Sequence, residues 1–486
     1  MLNIRFIAKM LGTMFLLETL FMGVAAAVAL SCGEDDRYPL LLSAAILFGT
    51  GLVFYLVGRH ANEQAAGHRE GMLIVALSWI LLSLLGMLPF YLGGYIDNVT
   101  DAYFETMSGY TTTGATILTD IEALPHGLLL WRSLTQWQGG IGVVVFTVAL
   151  LPLFGGGASQ MFEAETSGTG IAHERFRPRV TQVAKRFSGI YLLLTLLLTL
   201  LLWIGPMDLF DAANHAFTTV STGGYSTRNA SIGFWRSAYI EYVLAFFMFA
   251  GSVSMTLLYF FLKGNFRKLF GDEELRWFFF IIALFTGITT AWIAYNGWAA
   301  NLGEAFRLAL FHIISLISSC GYMTADYLSW GAFFWLLTLL IMFVGGCAGS
   351  TSGGLKVGRF VIIYKNLSNV FLRQMHPNAV LPVRMNRHVV SPDNVYRCLA
   401  FAFVYLSLIM AGSLILSLGG SRFDEAIGAT ISCISNIGPG LGEQGPSGNY
   451  AGLPDVSKWT LSFLMVVGRL EIFTILTIFL PGFWKQ

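Results

Sequence analysis

Long apolar stretches alternate with short polar connections along almost the whole chain. Ten stretches approach or exceed the length of about 20 residues that crosses a bilayer as a helix. They span residues 10–30, 38–57, 71–92, 131–154, 183–204, 237–263, 275–296, 331–365, 396–418 and 457–480. Ten crossings would return the chain to its starting side, so we expect both termini on one side of a membrane.

Four shorter apolar segments lie between successive crossings, and each is too brief to span a bilayer. They cover residues 98–113, 208–222, 303–320 and 422–437. The pattern predicts helices that enter the membrane, stop and return, which is tolerable only where the irregular backbone packs in protein or lines water. Each segment also begins near an acidic residue, which favours a helix N-terminus through the helix dipole.

Each short segment ends in a phrase of small polar residues centred on a glycine. The phrases are SGYTTTGAT, TTVSTGGYS, ISSCGYMT and ISNIGPG. Carbonyl groups on such a strand replace the hydration shell of a cation, and glycine reaches the positive φ that this geometry needs. Aligning the phrases on Gly114, Gly223, Gly321 and Gly438 predicts two carbonyl rings just inside that level. Their predicted members are Thr112, Thr113, Ser221, Thr222, Ser319, Cys320, Asn436 and Ile437.

These patterns predict an all-α polytopic membrane protein. Two N-terminal spans would precede four pseudo-symmetric repeats of membrane helix, re-entrant pore helix and membrane helix around a single pore. The corresponding divisions are residues 1–65, 66–160, 161–270, 271–370 and 371–486. The first division holds only the two peripheral spans, and the division 271–370, which is the third repeat, also contains a broken helix.

Composition and charge agree with a membrane protein. Of the 486 residues, 55% are hydrophobic and 12% are charged, about half the charged fraction of a soluble protein. Twenty-one of the 29 Lys and Arg residues fall on the side of the N-terminus and seven on the side of the glycine phrases. The positive-inside rule then predicts cytoplasmic termini and external glycine phrases. The basic segment Glu174–Phe187 is explained by this rule, with a docking surface for a cytosolic partner as the less favoured alternative.

The apolar stretch 331–365 is too long for a simple crossing. Its centre, Gly345–Gly354, is a poor helix interior because each glycine costs about 1 kcal/mol relative to alanine. We therefore predict a broken helix with a loop of small residues at membrane depth, beneath the glycine phrases. The glycines of this loop are Gly345, Gly346, Gly349, Gly353 and Gly354.

Arg469 falls inside the last apolar stretch, where a charge costs about 3 kcal/mol unless it faces protein or water. A structural role there competes with a positive barrier that faces the pore and contacts the predicted loop, and we favour the barrier. Lys356 is ambiguous, because its long side chain can also reach the membrane interface. The five cysteines and eight histidines show no spacing typical of a zinc site or a disulfide framework.

Several motifs together resemble the TrkH/TrkG branch of the Trk/Ktr/HKT superfamily of potassium and sodium transporters. They are the four glycine phrases, QWQGGIGVVVF at 136–146, FVGGCAGSTSGGLK at 343–356 and VGRLEIFT at 467–474. The resemblance implies K⁺ as the transported ion and no other bound cofactor. It also implies that the loop at 345–354, with Lys356 and Arg469, gates the pore. In plant relatives a serine in the first phrase goes with sodium transport, so Gly114 favours potassium.

The resemblance further implies the surroundings of the protein. It predicts a homodimer in the lipid bilayer of a bacterial inner membrane and a cytosolic TrkA-type regulatory subunit that binds NAD or ATP. No nucleic-acid partner and no enzymatic activity are expected. A sodium-permeable protein or an H⁺- or Na⁺-coupled symporter of the same fold stays the alternative. A polytopic membrane enzyme would require a polar catalytic cluster, and the sequence offers none.

Overall fold

The computed structural model describes residues 2–61, 67–150 and 180–484. The first half contains α1 (Ile4–Cys32), α2 (Arg37–Gly58), α3 (His68–Gly86), α4 (Leu88–Leu92), α5 (Val99–Tyr110), α6 (His126–Leu150), α7 (Val180–Ile204), α8 (Leu209–Val220), α9 (Ala238–Ser252) and α10 (Met255–Leu262). The second half contains α11 (Phe266–Gly271), α12 (Glu273–Asn296), α13 (Leu302–Ile317), α14 (Gly331–Val344), α15 (Val357–Met375), α16 (Pro392–Leu418), α17 (Phe423–Ser435), α18 (Asp455–Arg469), α19 (Ile472–Ile478) and α20 (Pro481–Trp484). A two-stranded antiparallel hairpin, β1 (Arg384–Met385) and β2 (His388–Val389), precedes α16.

The all-α membrane fold predicted from the sequence is confirmed. Seven helices in the described part of the chain are long and apolar enough to cross a membrane, and two bent helix pairs bring the number to nine. The remaining predicted crossing, 131–154, corresponds to α6, which reaches the edge of the described residues at Leu150. Most of the basic segment before Lys185 also lies outside the described residues.

Two predicted crossings are not continuous helices, and in this the sequence-based prediction was wrong. The stretch 237–263 consists of α9 and α10, which meet at an angle of 113°. The stretch 457–480 consists of α18 and α19, which meet at 116°. The predicted break within 331–365 is present, since α14 and α15 are separated by residues 345–356. Hence the last helix of repeats two, three and four is interrupted.

The two N-terminal helices form a tight hairpin beside the repeats. A Cβ added to Gly12 of α1 would lie 2.4 Å from the backbone nitrogen of Tyr55 on α2. A Cβ added to Gly58 would lie 2.4 Å from the backbone nitrogen of Lys9. Small residues thus let the two backbones approach, as is typical of packed membrane helices.

The re-entrant helices α5, α8, α13 and α17 are short, and their C-terminal halves are largely buried. Three begin at a side chain that caps a free backbone N–H group, namely Asn98, Asp208 and Asn301. In α17 the carboxylate of Glu425 accepts a hydrogen bond from the backbone nitrogen of Arg422. The acidic residues that the sequence singled out lie in the first turns, where they form ion pairs such as Asp211 with Arg228 at 2.8 Å.

Candidate ion-conduction pathway

The four strands that follow the re-entrant helices share one backbone conformation. Each has a non-glycine residue with φ between 52° and 59°, and a glycine with φ between 77° and 104° lies two residues later. The non-glycine residues are Thr112, Thr222, Ser319 and Asn436, and the glycines are Gly114, Gly224, Gly321 and Gly438. In every strand the intervening residue donates its backbone N–H to a helix carbonyl five residues earlier, at 2.8–3.0 Å. We call these segments, residues 112–114, 222–224, 319–321 and 436–438, the filter strands.

This conformation corrects the predicted register of the second strand. Gly224, not Gly223, matches Gly114, Gly321 and Gly438 in its positive φ. Gly223 instead takes the position of Thr113, because their N–H groups make the equivalent helix bonds, to Thr218 and Ser108. Ser221 moves out of the predicted ring, since it caps the end of α8.

The positive-φ glycines close the four filter strands into a ring. A Cβ on Gly114 would lie 2.2 Å from the carbonyl oxygen of Gly223, and one on Gly224 would lie 1.6 Å from that of Cys320. A Cβ on Gly321 would lie 2.1 Å from the carbonyl oxygen of Ile437. The ring closes at Gly438, where the distance to the carbonyl oxygen of Thr113 is 2.8 Å. Each strand therefore packs against the next, and glycine is required at each contact.

A cavity of about 140 Å³ lies on the side of this ring where the chain continues after the glycines. All four positive-φ glycines line it, together with residues that follow the filter strands, such as Tyr225 and Tyr450. Gly223 is not among its lining residues. The cavity is thus a single mouth shared by the four strands, and it independently supports the corrected register.

The corrected register gives two carbonyl levels inside the glycines. One level contains Thr112, Thr222, Ser319 and Asn436, and the other contains Thr113, Gly223, Cys320 and Ile437. All eight residues are buried. Rings of backbone carbonyls at such levels suit a dehydrated monovalent cation. The side chains differ from strand to strand, so the rings are only pseudo-symmetric.

A buried ion pair, which sequence analysis missed, supports the first filter strand. Arg132 of α6 donates its Nε–H to Glu105 of α5 at 2.6 Å, and both side chains are at most 3% exposed. The same carboxylate accepts from the backbone nitrogen of Ile117, and the guanidinium lies 3.6 Å from the centroid of the Tyr225 ring. This ion pair therefore links α5 to the segments that follow the first and second filter strands.

Two buried histidines support the second and third repeats in the same way. His215 of α8 contacts the carbonyl of Asp211 through Nδ1 and the hydroxyl of Ser226 through Nε2, at 2.7 and 2.9 Å. His312 of α13 contacts the carbonyls of Leu308 and Ala325 at 2.8 and 3.2 Å. Each imidazole ring connects its re-entrant helix to the chain beyond the filter strand, which is a structural role.

The loop of small residues lies directly beneath the filter strands. Its Gly353 donates a backbone hydrogen bond of 2.9 Å to the hydroxyl of Ser319. A Cβ on Gly353 would lie 2.1 Å from the carbonyl oxygen of Ser435, so the loop also touches the end of α17, directly before the fourth strand. The hydroxyl of Thr351 donates to the carbonyl of Gly251 at 3.0 Å. Gly345, Gly349 and Gly354 have φ between 73° and 80°, and Gly346 packs closely against Ser352.

Glu274, another residue that sequence analysis missed, anchors this loop. One of its carboxylate oxygens accepts from the backbone nitrogens of Ala348 and Gly358, at 2.8 and 2.9 Å. The loop also pairs with the bend between α9 and α10, where the nitrogen of Cys347 donates to the carbonyl of Ser252. Hydrogen bonds from α12 and from the bend between α9 and α10 therefore hold the loop in place.

Arg469 lies at the end of α18, at the bend before α19, and not in the middle of a continuous span as the sequence suggested. Its guanidinium donates to the carbonyl of Thr351 in the loop at 2.5 Å and to the carbonyl of Gly139 on α6 at 3.1 Å. The side chain is buried. The positive charge of Arg469 thus lies beneath the filter strands, between the loop and α6 of the first repeat.

Lys356 lies between the loop and α15 and belongs to a second charged group next to the same bend. Its φ is 73°, and its ammonium nitrogen lies 3.8 Å from the carboxylate of Glu471. Arg359 makes the shorter contact with that carboxylate, at 2.6 Å. Lys356 therefore faces protein charge, and its part in gating stays a prediction.

Comparisons with known proteins agree on one family. A family profile described as "TrkH: Cation transport protein" matches residues 42–485. The chain is 35% identical over 494 residues to the Trk system potassium uptake protein TrkH of Halomonas elongata and 33% identical over 492 residues to that of Escherichia coli K12, with full coverage of each. It also resembles the crystal structure of the potassium transporter TrkH from Vibrio parahaemolyticus, with a TM-score of 0.91, 32% identity and full coverage of both chains.

Proposed function

This chain belongs to the TrkH family of cation transport proteins, and from that premise we propose that it is a potassium-selective uptake channel. The family transports ions and is not enzymatic, so a membrane enzyme is excluded. The observation that carries the proposal is the closed ring of four filter strands around one mouth. The relatives named above are potassium uptake proteins, which favours K⁺ as the transported ion.

The two carbonyl levels would select the ion. K⁺ loses its hydration water on entry and gains carbonyl oxygens from four strands. The C-terminal ends of α5, α8, α13 and α17 precede the filter strands, and helix C-termini carry partial negative charge. Both features stabilise a cation without a charged side chain in the rings. Because the ligands carry only the partial charges of peptide groups, the ion is bound weakly enough to leave again.

The loop 345–354, together with Lys356, would be the gate, and the hydrogen bond from Arg469 to Thr351 would hold it closed. It lies beneath the filter strands, and its contacts with Ser319, Gly251 and Glu274 are hydrogen bonds that a conformational change can exchange. A guanidinium at this depth also repels a passing cation. We assign control of the loop to a cytosolic nucleotide-binding subunit of the TrkA type, in a homodimeric assembly. The exposed end of α15 and the β1–β2 hairpin follow the loop directly and suit such a partner.

We place the protein in a bacterial inner membrane, with cytoplasmic termini and an external filter mouth. The charge bias supports this orientation, because 21 basic residues lie on the side of the N-terminus. In this orientation the membrane potential alone drives uptake, by about 2.3 kcal/mol per 100 mV for each K⁺. A sodium-permeable or ion-coupled protein of the same fold is the second candidate, and reversal potentials in defined K⁺, Na⁺ and H⁺ gradients separate the two.

Growth of a potassium-uptake-deficient bacterium at low external K⁺ tests the proposal. We expect the chain to restore growth when it is expressed with its regulatory subunit, because the potential drives K⁺ inward through the filter. The Gly287→Ala variant serves as a control, since nothing lies within 4 Å of a Cβ at that site. The untransformed strain has a lowest K⁺ concentration at which it grows. If the protein inserts into the membrane but does not restore growth below that concentration, a role in potassium uptake is contradicted.

A further inference from the structure

Gln136 of α6 lies directly behind the second filter strand, and its side chain is fully buried. Its Nε2 donates a hydrogen bond of 2.8 Å to the carbonyl oxygen of Gly223. Its Oε1 accepts a hydrogen bond of 3.0 Å from the backbone nitrogen of Tyr225. A primary amide carries a donor and an acceptor side by side, so one side chain engages both peptide groups that flank Gly224.

The same side chain explains why residue 223 is a glycine. Gly223 has no positive φ, so its backbone conformation alone does not demand glycine. A Cβ there would lie 2.4 Å from the amide carbon of Gln136. At the equivalent level the other strands carry Thr113, Cys320 and Ile437. The Gln136 amide therefore occupies the space that a side chain of the strand would otherwise fill.

The second strand is also the one that most needs an external restraint. Its adjacent Gly223 and Gly224 have more conformational freedom to lose than any other pair of residues. Among the residues that the structure describes, no side chain donates a hydrogen bond to the carbonyl oxygen of Thr113, Cys320 or Ile437. Of the four carbonyl groups at this level, that of Gly223 is thus the one held by a described side-chain hydrogen bond.

We propose that Gln136 is a positioning residue that sets the discrimination of K⁺ from Na⁺ by fixing the direction of the Gly223 carbonyl. This inference rests on the proposed function. The carbonyl oxygen has two lone pairs, so it accepts from Gln136 with one and faces the ion with the other. A fixed carbonyl resists the contraction of the ring that the smaller Na⁺ requires. A ring of freely tilting carbonyls adapts to both ions.

The test is the ratio of ²²Na⁺ to ⁸⁶Rb⁺ uptake by potassium-uptake-deficient cells, normalised to the amount of protein in the membrane. Gln136→Met retains the length and bulk of the side chain but removes both hydrogen bonds. We expect the ratio to rise about fivefold, the factor that one net hydrogen bond provides, while Rb⁺ uptake continues. Gln138→Met is the matched control on the same helix, because its side chain makes no described hydrogen bond to a filter strand, and it should leave the ratio unchanged.

An unchanged ratio in Gln136→Met would overturn the inference. If that variant does not reach the membrane, the double variant Gln136→Ala/Gly223→Ala decides, since a Cβ at residue 223 then enters the vacated space. The same rise is expected there, and an unchanged ratio again overturns the inference. Absence of Rb⁺ uptake by the wild-type protein would contradict the proposed function itself and not the role of Gln136.

Discussion

Gly224→Ala is expected to lower K⁺ uptake at least about a hundredfold, which corresponds to about 3 kcal/mol. The residue has a φ of 77°, where any side chain costs about 1–2 kcal/mol. The added Cβ would also lie 1.6 Å from the carbonyl oxygen of Cys320, a backbone atom of the next filter strand. To relieve this clash, the carbonyl oxygen of Cys320 must move, and it is one of the expected ligands of the ion. Rb⁺ uptake per membrane-inserted molecule measures the effect.

Two further variants make this prediction specific. Gly287→Ala should leave uptake unchanged, because its Cβ meets nothing within 4 Å. Gly223→Ala should cost less than Gly224→Ala, since its Cβ meets the side chain of Gln136 and not backbone. If Gly223→Ala were the more damaging change, the register of the second filter strand would be wrong.

Arg469→Ala is expected to increase ion flux at least about tenfold in the absence of the regulatory subunit. The substitution removes the hydrogen bonds to the carbonyls of Thr351 and Gly139. Each hydrogen bond from a charged group contributes about 1.5–3 kcal/mol, so the loss of one suffices for a tenfold shift of the loop equilibrium. It also removes a positive charge from the path of the ion. Rb⁺ flux into liposomes that contain only this chain measures the effect.

Arg422→Ala is the control for this experiment. Arg422 is an exposed arginine whose only described ion pair is with Asp424 on its own helix, and it lies at the start of α17. In liposomes that lack the regulatory subunit, the Rb⁺ flux of Arg422→Ala should equal that of the wild-type protein. If the flux of Arg469→Ala still depends fully on the regulatory subunit, Arg469 has no role in gating. Deletion of 345–354 should then be examined separately, because the loop has other anchors.

The sequence predicted the repeat because its determinants are local. The lengths of the apolar segments separate crossings from re-entrant helices, and small polar residues end each of the latter. Adjacent Gly223 and Gly224, however, allow two alignments that differ by one residue. Only the dihedral angles and the hydrogen bond from Gly223 to Thr218 distinguish them. A sequence contains neither.

The bends and the supporting residues could not be predicted for a related reason. The break between Ser252 and Met255 and the break after Arg469 lie in apolar stretches that contain no proline near the bend. They are stabilised by partners far away in sequence, such as the loop carbonyl of Thr351. Gln136 and Glu274 likewise act on backbone groups more than 70 residues away. Long-range contacts of this kind appear only when the chain is folded.

The central claim is that peptide oxygens of four strands bind one alkali ion on a shared axis. Crystals grown in Rb⁺ and measured at its absorption edge test this claim most directly. The account predicts an anomalous peak on the axis, between the carbonyls of Thr113, Gly223, Cys320 and Ile437. A peak only outside the ring, or filter strands that enclose no common axis, would contradict it.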